Sequence, residues 1–277
     1  MLIPVCLSLV YAMTDYSVLE KPVFIGLDNF REMWTDRVLW RAAGNTAVYA
    51  AMTVALSTVV SVLTAVLIER AARTRGLAPL AGLTRVVVFA PTLVPVVAAA
   101  LAWLWTLNTQ KGPVNAVLTP VLSVFGLSPI DWLGSTAWAM VSIVLVSLWG
   151  VGTYVVIYGA AIRNVPAALY EAATIDGCGS WGRFVNVTLP MISPAIVLNV
   201  VMSMIWSLQA FAVPLVMTRG GPGDATLTYA MHVYNNAFVF SRMGYACALA
   251  WVQFLVTLAL VAIVLRLSRG AVYARGA

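Results

Sequence analysis

The residues best placed to do chemistry in this sequence lie between Arg163 and Pro190. Pro166 suits the first turn of a helix running through Leu169, Ala172, Ala173 and Ile175, and Gly177 and Gly179 suit its end. Glu171 and Asp176 put two acids on that helix, and Ala172 and Ala173 keep it narrow enough for a partner's groove. Trp181, Phe184, Val185 and Leu189 give the following segment an apolar face. The chemistry on offer is docking: an amphipathic helix with a charged contact and a small-residue surface. The same pattern fits a loop helix packed on the ends of its own neighbours.

A second group of polar residues sits inside apolar runs. Thr92 and Val96 lie around Pro91 and Pro95, Trp149 and Tyr154 lie within the run Trp-Gly-Val-Gly-Thr-Tyr, and Ser203, Ser207 and Gln209 lie further on. At helical spacing Ser203, Trp206, Ser207 and Ala210 share one face. Aromatic rings with hydroxyl and amide groups suit a neutral sugar, which stacks its C–H face and hydrogen-bonds its edge. Ser and Thr in such runs also commonly bond their own backbone, and Trp and Tyr form interfacial belts. No catalytic set is visible. An intramembrane enzyme needs acids, a Ser/Lys pair or a His at membrane depth. His232 is the single histidine, falls in a loop, and reads as a surface group. Cys6, Cys178 and Cys247 lack metal-ligand spacing and read as packing residues.

The elements that must position these groups follow from composition. Of 277 residues, 62% are hydrophobic and 9% charged. Soluble domains average about 45–50% and about 25%. That excludes a disordered chain, a nucleic-acid-binding domain and a disulfide scaffold, and makes an ordinary cytosolic enzyme a poor fit. A bilayer crossing needs roughly 20 apolar residues. The apolar runs predict an all-α membrane protein, one domain over residues 1–277, with six spans near 1–13, 45–68, 86–107, 137–162, 191–217 and 244–265. The first run is short of a span, as though about half a helix were missing before it. Residues 27–34 and 114–124 read as short interfacial helices. Arg219 to Met243 reads as a Gly- and Pro-punctuated loop.

The net charge of +6 comes from scattered Lys and Arg, not from a basic stripe. Arg70, Arg73, Arg75 and Arg85 cluster in one short loop, and Arg266, Arg269 and Arg275 in the tail. The positive-inside rule then places both termini and the 163–189 segment in the cytoplasm. The spans hold no clearly placed charge, which argues against a proton-coupled carrier. No GxxxxGK[ST] run occurs, so this chain is not expected to bind ATP itself.

Three motifs resemble one family. Tyr170-Glu171-Ala172-Ala173, Asp176-Gly177, Phe184 and Leu189-Pro190 resemble the EAA loop of permeases of binding-protein-dependent ABC importers, in its carbohydrate branch, with Cys178 and Val187 as small departures. Thr218, Gly220-Gly221-Pro222, Thr226, Tyr234, Phe238, Gly244, Ala246 and Ala248 resemble the last outer loop of the maltose- and glycerol-phosphate-type first permease subunit. Phe24-Ile25-Gly26-Leu27-Asp28-Asn29-Phe30 is similar to that family's entry to the first outer loop. The resemblance implies a type I importer permease fold and a bacterial inner-membrane location. It implies pairing with a second permease and two ATPase subunits that carry ATP and Mg, and delivery of solute by an external binding protein. Glu171, Ala172, Ala173, Asp176 and Gly177 would couple to the ATPase, and Gly220, Gly221 and Pro222 would face the binding protein. The solute would be a sugar; a glycerophosphodiester, an amino sugar or another polar solute is the runner-up, ahead of an ATP-independent carrier.

Overall fold

The computed structural model describes residues 2–17, 20–74 and 76–268. Met1, Arg75, Arg269 and Arg275, used in the readings above, lie outside those residues. The chain is mostly helical. It runs α1 (Leu2–Tyr11), a two-residue ladder of β1 (Thr14–Asp15) and β2 (Val23–Phe24), α2 (Asp28–Thr35), α3 (Arg37–Arg73) and α4 (Ala78–Phe89). It continues through α5 (Val96–Thr106), α6 (Pro113–Val124), α7 (Thr136–Trp149), α8 (Gly152–Arg163), α9 (Ala167–Ile175) and α10 (Ser180–Arg183). The last helices are α11 (Leu189–Met191), α12 (Ser193–Leu208), α13 (Ala212–Met217), α14 (Tyr229–Tyr234) and α15 (Met243–Ser268).

By length and composition α3 and α15 can each cross a membrane, and the described residues reach five crossings if three bent helix pairs each count as one. The first bend has a local cause. In the pair joining Ala78–Leu93 to Val96–Thr106, Val94 is extended at ψ 127° because it precedes Pro95, whose ring disfavours helical backbone before it. Between α7 and α8 the chain bends by 50° at Gly150 and Val151. The pair Ser180–Met191 and Ser193–Leu208 bends by 68° at Ile192.

The helix predicted over 45–68 begins earlier and ends later. Asp36 starts it: its Oδ1 accepts from the N–H groups of Val38 and Leu39 at 2.9 and 3.0 Å, satisfying donors that a helix start leaves open. The Arg37–Ala43 stretch, polar enough to read as loop, is therefore helical. The loop predicted over 219–243 is also corrected, since it holds α14 and a π-helical turn over Asn235–Val239.

The backbone packs as two compact units. One comprises Met1–Ala50, Val96–Val144 and Trp206–Leu260. Its core gathers Met33, Leu39, Tyr229, Tyr245 and Leu249 around Ala12 and Ala248. The buried Asn29 amide donates to the carbonyls of Ala12 and Thr14 at 2.9 and 3.0 Å, so the residue of the first outer-loop motif ties α2 to the end of α1. Gly244 lets α15 approach the first loop: its N–H donates to the Tyr16 carbonyl at 2.9 Å, and a Cβ there would collide with the Thr14 carbonyl oxygen. In the 108–135 loop, Asn115 bridges the carbonyls of Thr109 and Ile130 and accepts from the Trp132 indole at 2.9 Å.

The other unit comprises Ala51–Pro95, Leu145–Ile205 and Val261–Ala277. Its core packs Val62, Ala65, Ile68, Ala81, Val155, Tyr158, Ile162 and Ile192. Outward, Leu56, Val59, Leu63 and Leu67 on α3 are exposed, as are Ile263, Leu265 and Leu267 on α15. Apolar surface on that scale suits lipid or a partner chain rather than water.

Candidate coupling loop and transport residues

The 163–191 segment folds as a compact helical hairpin inside the second unit. Pro166 caps α9, where its fixed ring costs no hydrogen bond. Gly177 ends the helix at φ +77°, a conformation glycine adopts without a side-chain penalty. Its N–H donates to the Thr174 carbonyl at 3.1 Å and that of Cys178 to the Ala173 carbonyl at 2.9 Å, which closes a Schellman motif. The return arm runs through α10, a π-helical turn over Phe184–Thr188, and α11. Tyr170 and Thr188 share a hydroxyl hydrogen bond at 3.0 Å, and the Arg183 guanidinium donates to Thr174 Oγ1 at 3.3 Å. These contacts fix α9 on its return arm.

Of the five coupling candidates, Ala173 is buried against the hairpin, while Glu171, Ala172, Asp176 and Gly177 are exposed. Ile175 at 86% exposure and Trp181 at 72% stand beside them. The outward surface thus combines two carboxylates with large apolar side chains, as a docking helix needs.

The root of the hairpin is held by residues that sequence reasoning passed over. Glu69 on α3 is 4% exposed, and its Oε1 accepts from Arg163 at 2.6 Å and from Arg85 at 2.8 Å. One residue on, Arg70 donates to the Ser180 carbonyl at 3.2 Å, and Arg73 lies over the Tyr170 ring at 5.5 Å. In sequence Glu69 reads as the polar end of a span. Its signal was an acid at the same end of its helix as two arginines that terminate or enter neighbouring apolar runs.

The transport candidates are placed differently from one another. Thr92 lies in the turn after α4, half-buried, donating to the Phe89 carbonyl at 2.6 Å. Val96 opens α5 and is exposed; Trp149 ends α7 at 37% exposure. Tyr154 packs on the core of the second unit. Ser203 is sealed at 2% exposure, its hydroxyl 3.2 Å from that of Ser57. Ser207 is also buried, whereas Gln209 is exposed.

The shared face of Ser203, Trp206, Ser207 and Ala210 does not exist as one surface. Trp206 is 67% exposed while both serines are buried. The helix stops at Leu208, so Ala210 falls outside it. Side chains of the first unit satisfy the carbonyls at this end: Gln253 donates to Leu208 at 2.7 Å and Thr228 to Ala210 at 2.7 Å. Side-chain donors here replace the next turn of helix.

The Gly220-Gly221-Pro222 loop is tightly built. Arg219, Gly220, Gly223 and Asp224 all have positive φ. The Thr226 hydroxyl donates to the Gly221 carbonyl at 2.8 Å and meets the Thr218 hydroxyl at 2.6 Å. Asn45 clamps the loop by donating to the carbonyls of Asp224 and Leu227 at 2.6 and 2.9 Å. Arg41 pairs with the Asp224 carboxylate at 3.2 Å.

The expectation for His232 is corrected. It is 5% exposed, because α14 turns it inward to Asp36, whose Oδ2 lies 3.0 Å from His232 Nε2 and accepts from the Tyr245 hydroxyl at 2.9 Å. Burial pushes the Asp36 carboxyl up. The Leu39 N–H, the Tyr245 hydroxyl and His232 outweigh that effect, leaving it below the ordinary aspartate value.

An exposed helical hairpin on a scaffold of broken and unbroken apolar helices is the architecture of a helical membrane protein. Residues 71–275 match the binding-protein-dependent transport system inner membrane component family, and the chain belongs to that family. The sulfoquinovosyl glycerol transport system permease protein of Agrobacterium fabrum is 33% identical over 254 residues, covering 89% of this chain and 77% of that protein. The diacetylchitobiose uptake system permease protein of Streptomyces coelicolor is 34% identical over 97% of this chain and 77% of its own length. The lactose transport system permease protein of Rhizobium radiobacter is 33% identical over 91% and 83%. In fold, the chain superposes at a TM-score of 0.82 on a chain of a bacterial ABC transporter involved in import of the acidic polysaccharide alginate. That match covers 97% of this chain and 90% of the other at 22% identity.

Proposed function

We propose that this chain is one permease subunit of an ATP-driven importer and forms half of the path for a sugar or sugar-like solute. The observation that supports this reading is the exposed α9 surface of Glu171, Ala172, Ile175 and Asp176, set on a hairpin whose motif resembles the coupling loop of such permeases. A second permease completes the path, and α9 seats in a cleft of one of two ATPase subunits, which hold ATP and Mg. Their closure displaces the hairpin and turns the path from one side of the membrane to the other. The Gly220–Pro222 loop meets a solute-binding protein on the far side, where its clamped backbone presents a fixed surface. Both termini lie in the cytoplasm, and the helices make six crossings with α1 as the short first one. The relatives named above carry glycosides of different kinds, so the reading names a class of solute, with Thr92, Val96, Trp149, Tyr154, Ser203, Ser207 and Gln209 as path candidates.

The test is co-purification from the native membrane followed by reconstitution. Recovery of a second permease and an ATPase, with sugar uptake that requires ATP and the binding protein, is the expected result. A chain that purifies alone and transports without ATP overturns it.

A further inference from the structure

Glu69 has no part in the motif that marks the coupling loop, yet the structure surrounds it with devices that keep it in place. Its carboxylate is 4% exposed, and an ion buried to that degree persists where cations pair with it. Both guanidiniums converge on the same oxygen, Arg85 from α4 and Arg163 from the last residue of α8. Gly159 makes the space: a Cβ there would stand 3.1 Å from Glu69 Oε1 and 3.5 Å from an Arg163 nitrogen. Ala65, Ile68, Val88 and Val155 line the small pocket around the pair.

Arg163 is where α8 gives way to the hairpin. Asn164 and the buried Val165 follow, then Pro166 and α9. The same turn of α3 touches the hairpin twice more, through Arg70 at the Ser180 carbonyl and Arg73 over the Tyr170 ring. The end of α3 therefore grips the hairpin at its root, on its helix and on its return arm.

We propose that Glu69 is a positioning residue for energy coupling: through Arg163 it locks the root of the coupling hairpin to α3, so that displacement of α9 moves that helix instead of flexing residues 164–166. This rests on the permease reading above. It separates two ion pairs that look alike. Each arginine gives Glu69 Oε1 one strong hydrogen bond, and loss of either leaves the carboxylate one cation. Arg163 alone of the two belongs to the segment that enters the hairpin. A purely structural role for Glu69 predicts that the two losses are equivalent.

The experiment uses the complete transporter in liposomes, with its partner permease, ATPases and binding protein, and measures solute imported and ATP hydrolysed in the same vesicles. Arg163→Gln is expected to lower solute moved per ATP about fivefold with unchanged complex yield, the scale on which such linking contacts tune coupling. Arg85→Gln is expected to stay within about twofold of the parent, and Arg163→Lys to recover much of the loss by restoring a cation. Equal ratios for Arg163→Gln and Arg85→Gln overturn the proposal. If Arg163→Gln does not assemble, Glu69→Gln, which weakens the lock while keeping both arginines, is compared with Arg85→Gln, and equal ratios overturn it in the same way. Absence of ATP-dependent uptake by the parent transporter would instead remove the permease reading itself.

Discussion

Replacing Gly152 with alanine tests how closely α4 and α8 must approach. A Cβ at Gly152 would stand 2.8 Å from the Phe89 Cα and closer still to the Val88 carbonyl oxygen. Carbon atoms are in comfortable contact at about 3.5–4.0 Å, so the two helices must part by roughly 0.7–1.2 Å. The atoms in the way are backbone, and no side-chain rotation can relieve the overlap. Overpacking of this kind costs about 1–3 kcal/mol, while alanine's better helix preference returns up to about 1 kcal/mol. A net loss of about 1–2 kcal/mol lowers the melting temperature by about 2–8 °C for a chain of this size. Gly150→Ala is the internal control. Its Cβ would meet nothing nearer than the Ser147 carbonyl at 3.7 Å, an ordinary contact. Thermal unfolding of the detergent-solubilised transporter, followed by tryptophan fluorescence, reads both variants. If Gly152→Ala melts at or above Gly150→Ala, the close packing of α4 on α8 is not what holds this region together.

Three further outcomes are expected. Asp36→Asn should lower stability at neutral pH by about 1–3 kcal/mol, since a carboxylate accepting four hydrogen bonds is replaced by a neutral amide. Because the folded value of Asp36 lies below its unfolded one, its contribution is full above about pH 4 and is lost as pH falls through the folded value; a melting-temperature profile equally steep in parent and Asp36→Asn below about pH 4 would contradict this. Asn45→Ala should leave two loop carbonyls without their donor and speed amide exchange across residues 218–228, with mass spectrometry as the readout. Gly177→Pro, which cannot adopt φ +77° and loses the N–H bonded to Thr174, and Glu171→Lys should each reduce uptake by about tenfold at unchanged membrane level; normal uptake by both would remove the coupling role from α9.

Periodicity and punctuation carried the hairpin a long way. Pro166 and Gly177 bound α9 in the structure as they do in the sequence, because ring closure and positive φ are local constraints that no tertiary context needs to supply. The short helices at Asp28–Thr35 and Pro113–Val124 were legible for the same reason, an amphipathic or proline-started run bounded by loop residues. The transport face was not. Ser203, Trp206, Ser207 and Ala210 obey helical spacing, but spacing says nothing about where a helix stops; it ends at Leu208, where Gln253 and Thr228 from elsewhere in the chain meet the carbonyls of Leu208 and Ala210.

The sequence by itself determined that this is a membrane protein of broken and unbroken apolar helices with a helical loop bounded by Pro166 and Gly177, since hydrophobic length, proline position and glycine position are local quantities. What the tertiary structure alone decided was the meaning of the few charged and polar side chains. His232 read as a surface residue until α14 turned it onto Asp36, 196 positions away. Glu69 read as the end of a span until Arg163, 94 positions away, and Arg85, 16 away, closed on it. A buried charge is stable where its partners are, and partners brought together by chain folding leave no periodic trace in the sequence between them.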